Sequence, residues 1–187
     1  MPIIGIVASS RQASGTYESI QTYNLTSGGT GSVTFNSGGV WSIYTHLQVR
    51  WVAKCSRSAP NATLVLQLNG NTAANYLQEV VEWDGTGPMY QSSAINSGIY
   101  TGLAGNTYAN YYSSGYMDVY DINSTKQKPY RAQGAFAQGG SASGQNNYTM
   151  SQGTFIANSD PITSITLFPD IGTFNANSKI ALYGIRG

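Results

Sequence analysis

Charge is what this sequence has least of. Lys, Arg, Asp and Glu make up 9% of its 187 residues, against about 25% in an ordinary soluble chain. The nine basic and eight acidic side chains nearly cancel, leaving a formal charge of +1. A phosphate-binding surface needs clustered Lys and Arg, so nucleic acid is not an expected partner. Disorder is disfavoured as well, because disordered chains are rich in charge and poor in aromatics, whereas aromatics here reach 12%. With so few charges, repulsion between copies is weak and association is tolerated.

Cysteine and histidine are nearly absent, with one of each. A lone cysteine closes no intramolecular disulfide, and a lone histidine builds no zinc site without several carboxylates beside it. No cofactor or metal is therefore expected. Cys55 ends the alternating run Leu47, Val49, Trp51, Ala53, Cys55, which reads as a buried small hydrophobe rather than a reactive thiol. Lack of disulfides fits folding in a reducing cytoplasm. Long apolar runs are missing too. The stretch from Ile3 to Ala8 has no basic residues before it and is too short for a signal peptide, and no run approaches the roughly 18 residues of a membrane helix. No membrane is expected.

Helical periodicity is replaced by short alternating runs bounded by Gly, Asn, Ser and Pro. Strands are expected over 17–24, 32–35, 44–55, 63–68, 116–122, 130–137, 148–156, 162–168 and 179–185. In the third, Leu47, Val49 and Trp51 alternate with His46, Gln48 and Arg50, the pattern of a sheet wet on one side. Leu64, Leu66 and Leu68 follow and end in Asn69-Gly70, a dipeptide suited to a positive-φ turn, so these two strands are expected to form a hairpin. Near the end, Ile165 and Leu167 read as a half-wet strand, Ile180 and Leu182 as a more fully buried one. Residues 75–83 fit a helical turn or a strand. Loops are expected over 27–39, 84–98 and 139–147. The sum is one all-β domain over 17–187 behind a short N-terminal arm, 1–16, built as a two-sheet antiparallel sandwich and most simply a jelly roll.

Candidate chemistry is thin. Glu79, Glu82 and Asp84 are the densest acidic group, and glycosidic cleavage needs two carboxylates about 5–10 Å apart, but adjacent solvent-facing acids are ordinary on β-proteins. Asp118 and Asp121, three apart, would face opposite sides of a strand and share no calcium. His46 lies inside a long strand with no nucleophile elbow to serve. Gly28, Gly29 and Gly31 precede a strand and lack the lysine of a phosphate loop. No catalytic residue emerges. The Asn-x-Thr triplets at Asn24, Asn61, Asn123 and Asn147 are expected by chance in a chain this rich in Asn and Thr. Tyrosine is the remaining excess. Tyr108, Tyr111, Tyr112, Tyr116 and Tyr120 crowd one window and form a candidate aromatic contact cluster, suited to sugar rings or a protein interface, or simply strand residues. Ile3, Ile4, Ile6 and Val7 would not ordinarily sit exposed, so the arm either completes its own sheet or docks on a partner.

The segments IIGIVASS, YTHLQVRWVAKCSRS, LQLNGNTAANY, MDVYDINSTKQKPYRA and PITSITLFPDIGTFNANSKIALYGIRG, in that order, resemble a widespread family of tailed-bacteriophage jelly-roll virion proteins. The resemblance runs from Ile3 to Gly187 but passes over 78–114, and is most specific in the closing pair of strands ending LYGIRG. It implies a non-enzymatic virion component, foremost a trimeric cement or decoration protein on the capsid surface. That protein's partners would be the major capsid protein and itself, and it would assemble in the host bacterial cytoplasm. The alternative is a tail-associated receptor- or carbohydrate-binding β-sandwich module, because jelly rolls serve both ends.

Overall fold

A computed structural model describes residues 17–83, 90–106, 110–138, 145–157 and 160–187. They form β1 (Tyr17–Leu25), β2 (Val33–Asn36), a 3₁₀ turn (Val40–Ile43), β3 (His46–Ala53), β4 (Asn61–Leu68), β5 (Tyr76–Trp83) and β6 (Tyr90–Asn96). There follow β7 (Ile99–Ala104), β8 (Ser113–Val119), β9 (Lys128–Gln138), β10 (Gln145–Phe155), β11 (Ser164–Pro169) and β12 (Ser178–Ile185). The arm and residues 139–144 lie outside the described residues.

Two antiparallel sheets result. One has eight strands in the order β1-β12-β3-β8-β9-β10-β5-β6, the other four in the order β2-β11-β4-β7. Setting aside the hairpins β5–β6 and β9–β10 leaves β1-β12-β3-β8 facing β2-β11-β4-β7, which is the strand order of a jelly roll. Both inserted hairpins join the same edge of the same sheet. They widen it beyond the four strands of the small sheet, and β5 and β6 form its outer edge, a wing whose inner residues Tyr76 and Gln78 still bond the small sheet.

The core lies where the two sheets overlap. From the large sheet it takes Leu47, Val49, Trp51, Met117, Val119, Ile180 and Leu182; from the small one Phe35, Leu64, Leu66, Leu68, Ile165 and Leu167, all buried. The alternation read in β3 holds, with His46, Gln48 and Arg50 turned outward. Cys55 is fully buried, and burial pushes its thiol pKa up.

Four expectations need correction. Strands β3 and β4 form no hairpin: β3 pairs with β12 and β8, β4 with β11 and β7. The turn itself is as expected, with φ of 52° at Asn69 and 64° at Gly70, but it sends the chain to the opposite sheet. Asn69 instead ties β4 to the entrance of β11, its Oδ1 accepting the Thr163 and Ser164 N–H groups at 2.7 and 3.2 Å. Strand β12 is no more buried than β11, since Lys179 is exposed and Ala181 and Tyr183 are half-buried. Part of the expected loop 84–98 is β6, and the last three residues of the expected loop 139–147 begin β10; residues 75–83 take the strand alternative as β5, while β7 was not foreseen.

Tyr76 shows how the small sheet is finished. Strand β7 begins at Ile99, opposite Leu66, so Leu68 has no β7 partner. The Tyr76 hydroxyl takes that place, accepting the Leu68 N–H at 2.8 Å. Burial raises this phenol from 10.0 to about 12 and drives that of buried Tyr130 upward too. Both rings are therefore kept neutral by the fold. The stability this gives is complete below pH 10, the unfolded value, and is lost as pH rises towards about 12. Thermal melts should be level up to about pH 9 and fall above about pH 10. Tyr76→Phe should lower stability by ~1–3 kcal/mol at neutral pH, because it strands a buried N–H, and should make the alkaline fall shallower. An unchanged alkaline fall in the variant would place the titration elsewhere.

Candidate functional site

The large sheet turns one face away from the small sheet, and pairing register decides what meets there. Tyr183, Gln48, Asp118, Arg131, Gln152 and Glu79 stand in one row across β12, β3, β8, β9, β10 and β5. A second row holds Ala181, Arg50, Tyr116, Gln133, Met150 and Val81. Side chains in such rows are within contact distance although their residues are remote in sequence.

At the β12–β3–β8 end the rows are joined by hydrogen bonds. Gln48 Nε2 donates to Asp118 Oδ1 at 2.6 Å, and Gln48 Oε1 accepts from Arg50 Nε at 2.6 Å. The same oxygen accepts from the Tyr17 hydroxyl. Asp118 Oδ2 accepts from the Tyr120 hydroxyl at 3.4 Å. The Tyr17 and Tyr183 rings are stacked with centroids 5.0 Å apart, and the Arg50 guanidinium carbon lies 5.1 and 5.2 Å from those centroids. Burial raises the Tyr17 pKa, opposed by the Arg50 charge; burial also raises that of Tyr120, reinforced by Asp118. A groove of about 720 Å³ opens over this end, lined among others by Tyr183, Arg50, Tyr116, Lys179 and Thr22.

The wing forms a second surface. A groove of about 720 Å³ runs over its outer face between Leu77, Glu79, Ile95, Gln152 and Thr154. Leu77 is 41% and Ile95 55% exposed, and they face each other across β5 and β6. At the other end of β5, exposed Trp83 pairs with exposed Tyr148. Residues Gln91 to Ile95 of the edge strand are all exposed and carry no charge, so β6 lacks the usual guards against pairing with another chain.

The tyrosine window is divided. Tyr116 lines the first groove and Tyr120 binds Asp118 beside it. Tyr112 instead donates to the Ala176 carbonyl at 2.9 Å, Tyr111 is exposed, and Tyr108 lies outside the described residues. Ile3, Ile4, Ile6, Val7 and Asp84 also lie outside them. Glu79 faces out and Glu82 faces the inner cleft beside Arg57, so these two carboxylates are on opposite faces. His46 Nδ1 accepts the Asp121 N–H at 3.0 Å and holds the turn after β8. Asn123 donates to the Trp41, Ser42 and Tyr44 carbonyls, and Asn147 is buried, which makes both structural. No group of three or more His, Cys, Asp or Glu side chains suited to a metal occurs among the described residues, nor any helix long and apolar enough to cross a membrane.

Sequence reasoning missed Tyr17, Tyr183, Gln48, Arg50 and Lys179 as a group. Gln48 and Arg50 were visible only as the wet side of β3; the register that brings β1, β12 and β8 beside them leaves no local signal. No family model, curated protein or solved structure matches this chain.

Proposed function

We propose that the chain is a non-enzymatic structural protein of a tailed-phage virion, a cement protein that adheres to the outside of the capsid and acts as a trimer. The observation that carries this reading is the wing. The outer face of the large sheet has no second layer among the described residues, and at the wing it exposes Leu77, Ile95, Trp83 and Tyr148. Sheets bury an apolar face against a second layer, and a neighbouring subunit supplies one. Contact area laid across a junction between major capsid proteins opposes their separation by internal DNA pressure. Carboxylate geometry supports the non-enzymatic part: Asp118 and Glu79 are three strand spacings apart, about 14 Å, beyond the reach of a glycosidase pair.

Leu77→Lys combined with Ile95→Lys should leave the fold intact, because both side chains are exposed, and should weaken attachment to capsids at least about tenfold. Capsids without the protein should release DNA at a lower temperature. Attachment through apolar contacts should depend only weakly on salt. Unchanged capsid robustness with loss of adsorption would transfer the protein to the tail, and attachment abolished by modest salt would exclude the wing as its basis.

A further inference from the structure

We infer that the groove over β12, β3 and β8 is a binding site for an acidic saccharide, one bearing uronic-acid carboxylates. Tyr183 and Tyr116 rise from the strands on either side of β3 and from adjacent rows, so they stand about 12 Å apart, a gap that takes one pyranose ring. Tyrosine offers an apolar ring face to sugar C–H groups and a hydroxyl at its rim. Ala181, next to Tyr183 on β12 and across β3 from Tyr116, keeps that side of the floor low, opposite Arg50 in the register.

The polar groups are fixed before any ligand arrives. Gln48 is held by Asp118, Arg50 and Tyr17, and Asp118 is held again by Tyr120. Binding then orders few side chains, which is where affinity for flexible saccharides is usually lost. Charge selects the class. Nine basic residues are present, of which Lys54 and Lys128 are buried, yet exposed Arg50 and Lys179 both line this one groove. Asp118 is the opposing carboxylate, and it is already committed to Gln48 and Tyr120. Arg50 uses Nε on Gln48, while its terminal nitrogens have no hydrogen-bond partner among the described residues. A planar guanidinium oriented by two tyrosines is suited to bidentate capture of a carboxylate.

The site is separate from the wing and does not depend on where the protein is anchored. The test is calorimetric titration of the full chain at low salt with hexagalacturonate, maltohexaose and hexaglutamate, with amide chemical shifts as a map. Hexagalacturonate should bind, with shifts centred on residues 46–53, 113–119 and 178–185. Lys179→Gln, an exposed change with little folding consequence, should weaken it about tenfold, and Tyr183→Ala or Tyr116→Ala by at least as much. Leu77→Lys with Ile95→Lys should have no effect on it, so a failure of the capsid reading and a failure of this one are distinguishable. Equal affinity for hexaglutamate would reduce the groove to a simple charge effect. Equal affinity for maltohexaose would remove the acidic requirement, and absence of hexagalacturonate binding would overturn the site.

Discussion

Phe35→Ala should lower the free energy of unfolding by ~3–5 kcal/mol, the range for losing a buried aromatic ring. That is a large share of the 5–15 kcal/mol or so that holds a typical domain together. The reason lies in β2, which has four residues, pairs among the described residues only with β11, and directs only Val33 and Phe35 inward. Phe35 is fully buried and meets Tyr23 of β1 edge-on, with ring centroids 5.2 Å apart. Tyr23 reaches across in turn and donates to the Thr34 carbonyl at 2.9 Å. Phe35 is thus where the edges of the two sheets are clamped, and its loss frees β1 and β2 together. Urea titration should show a lower midpoint with an unchanged slope, and Phe35→Leu should recover most of the loss. A cost below about 1 kcal/mol for alanine would mean that β2 is held by its backbone bonds alone.

Gly115→Val should be nearly as damaging, at about 3 kcal/mol, the upper part of the usual overpacking range. Gly115 sits opposite Trp51 on one side and Gly134 on the other. A β-carbon there would lie 2.3 Å from the Trp51 ring and 2.3 Å from the Gln133 carbonyl oxygen, and neither can withdraw, because one is a buried indole and the other is backbone. Gly134 repeats the arrangement from above, where a β-carbon would meet Thr101 Oγ1 at 2.6 Å and the Gly102 oxygen at 2.9 Å. The pair of glycines forms a seam that lets the indole lie flat and β7 approach β9. Scanning calorimetry should show a melting temperature lower by roughly 6–12 °C for a chain of this size, with altered tryptophan emission. Gly31→Ala, which meets nothing within 4 Å, is the matched control and should be near neutral.

What the sequence made legible depended on whether a strand has one wet and one dry face. Strand β3 does, and its alternation marks both faces. Strand β5 inverts the rule: Gln78 is buried, donating to the Tyr100 carbonyl at 2.8 Å, while Leu77 and Trp83 are exposed. Its apolar residues fit no single period. Strand β6 is exposed on both faces from Gln91 to Ile95, so its composition resembles a loop. Strand β7 fails in the opposite way, buried at every position but Tyr100. The aromatic window drew attention because its tyrosines are close in sequence, yet of those described Tyr116 alone lines the groove, with Tyr120 beside it on Asp118. Their partners there, Tyr17, Tyr183 and Gln48, come from β1, β12 and β3. Proximity along the chain and proximity across a sheet are different quantities, and only the first is printed in a sequence.

The two closing strands have a kinetic consequence. Strand β12 lies between β1 and β3, and β11 lies between β2 and β4, so each is an interior strand whose neighbours were made long before it. Among the described residues neither β1 nor β2 has another strand to pair with. The pairing of β1 with β12 closes a loop from Tyr17 to Ile185, and such remote contacts give no enthalpy until nearly all the ordering entropy has been lost. The N-terminal half of the chain therefore waits for the C-terminal half, with the seams β1–β12 and β2–β11 open until the last strands arrive. A domain of this topology belongs to the slow-folding class, on the order of milliseconds to seconds, and its early strands are at greatest risk of pairing with other chains during synthesis rather than after it.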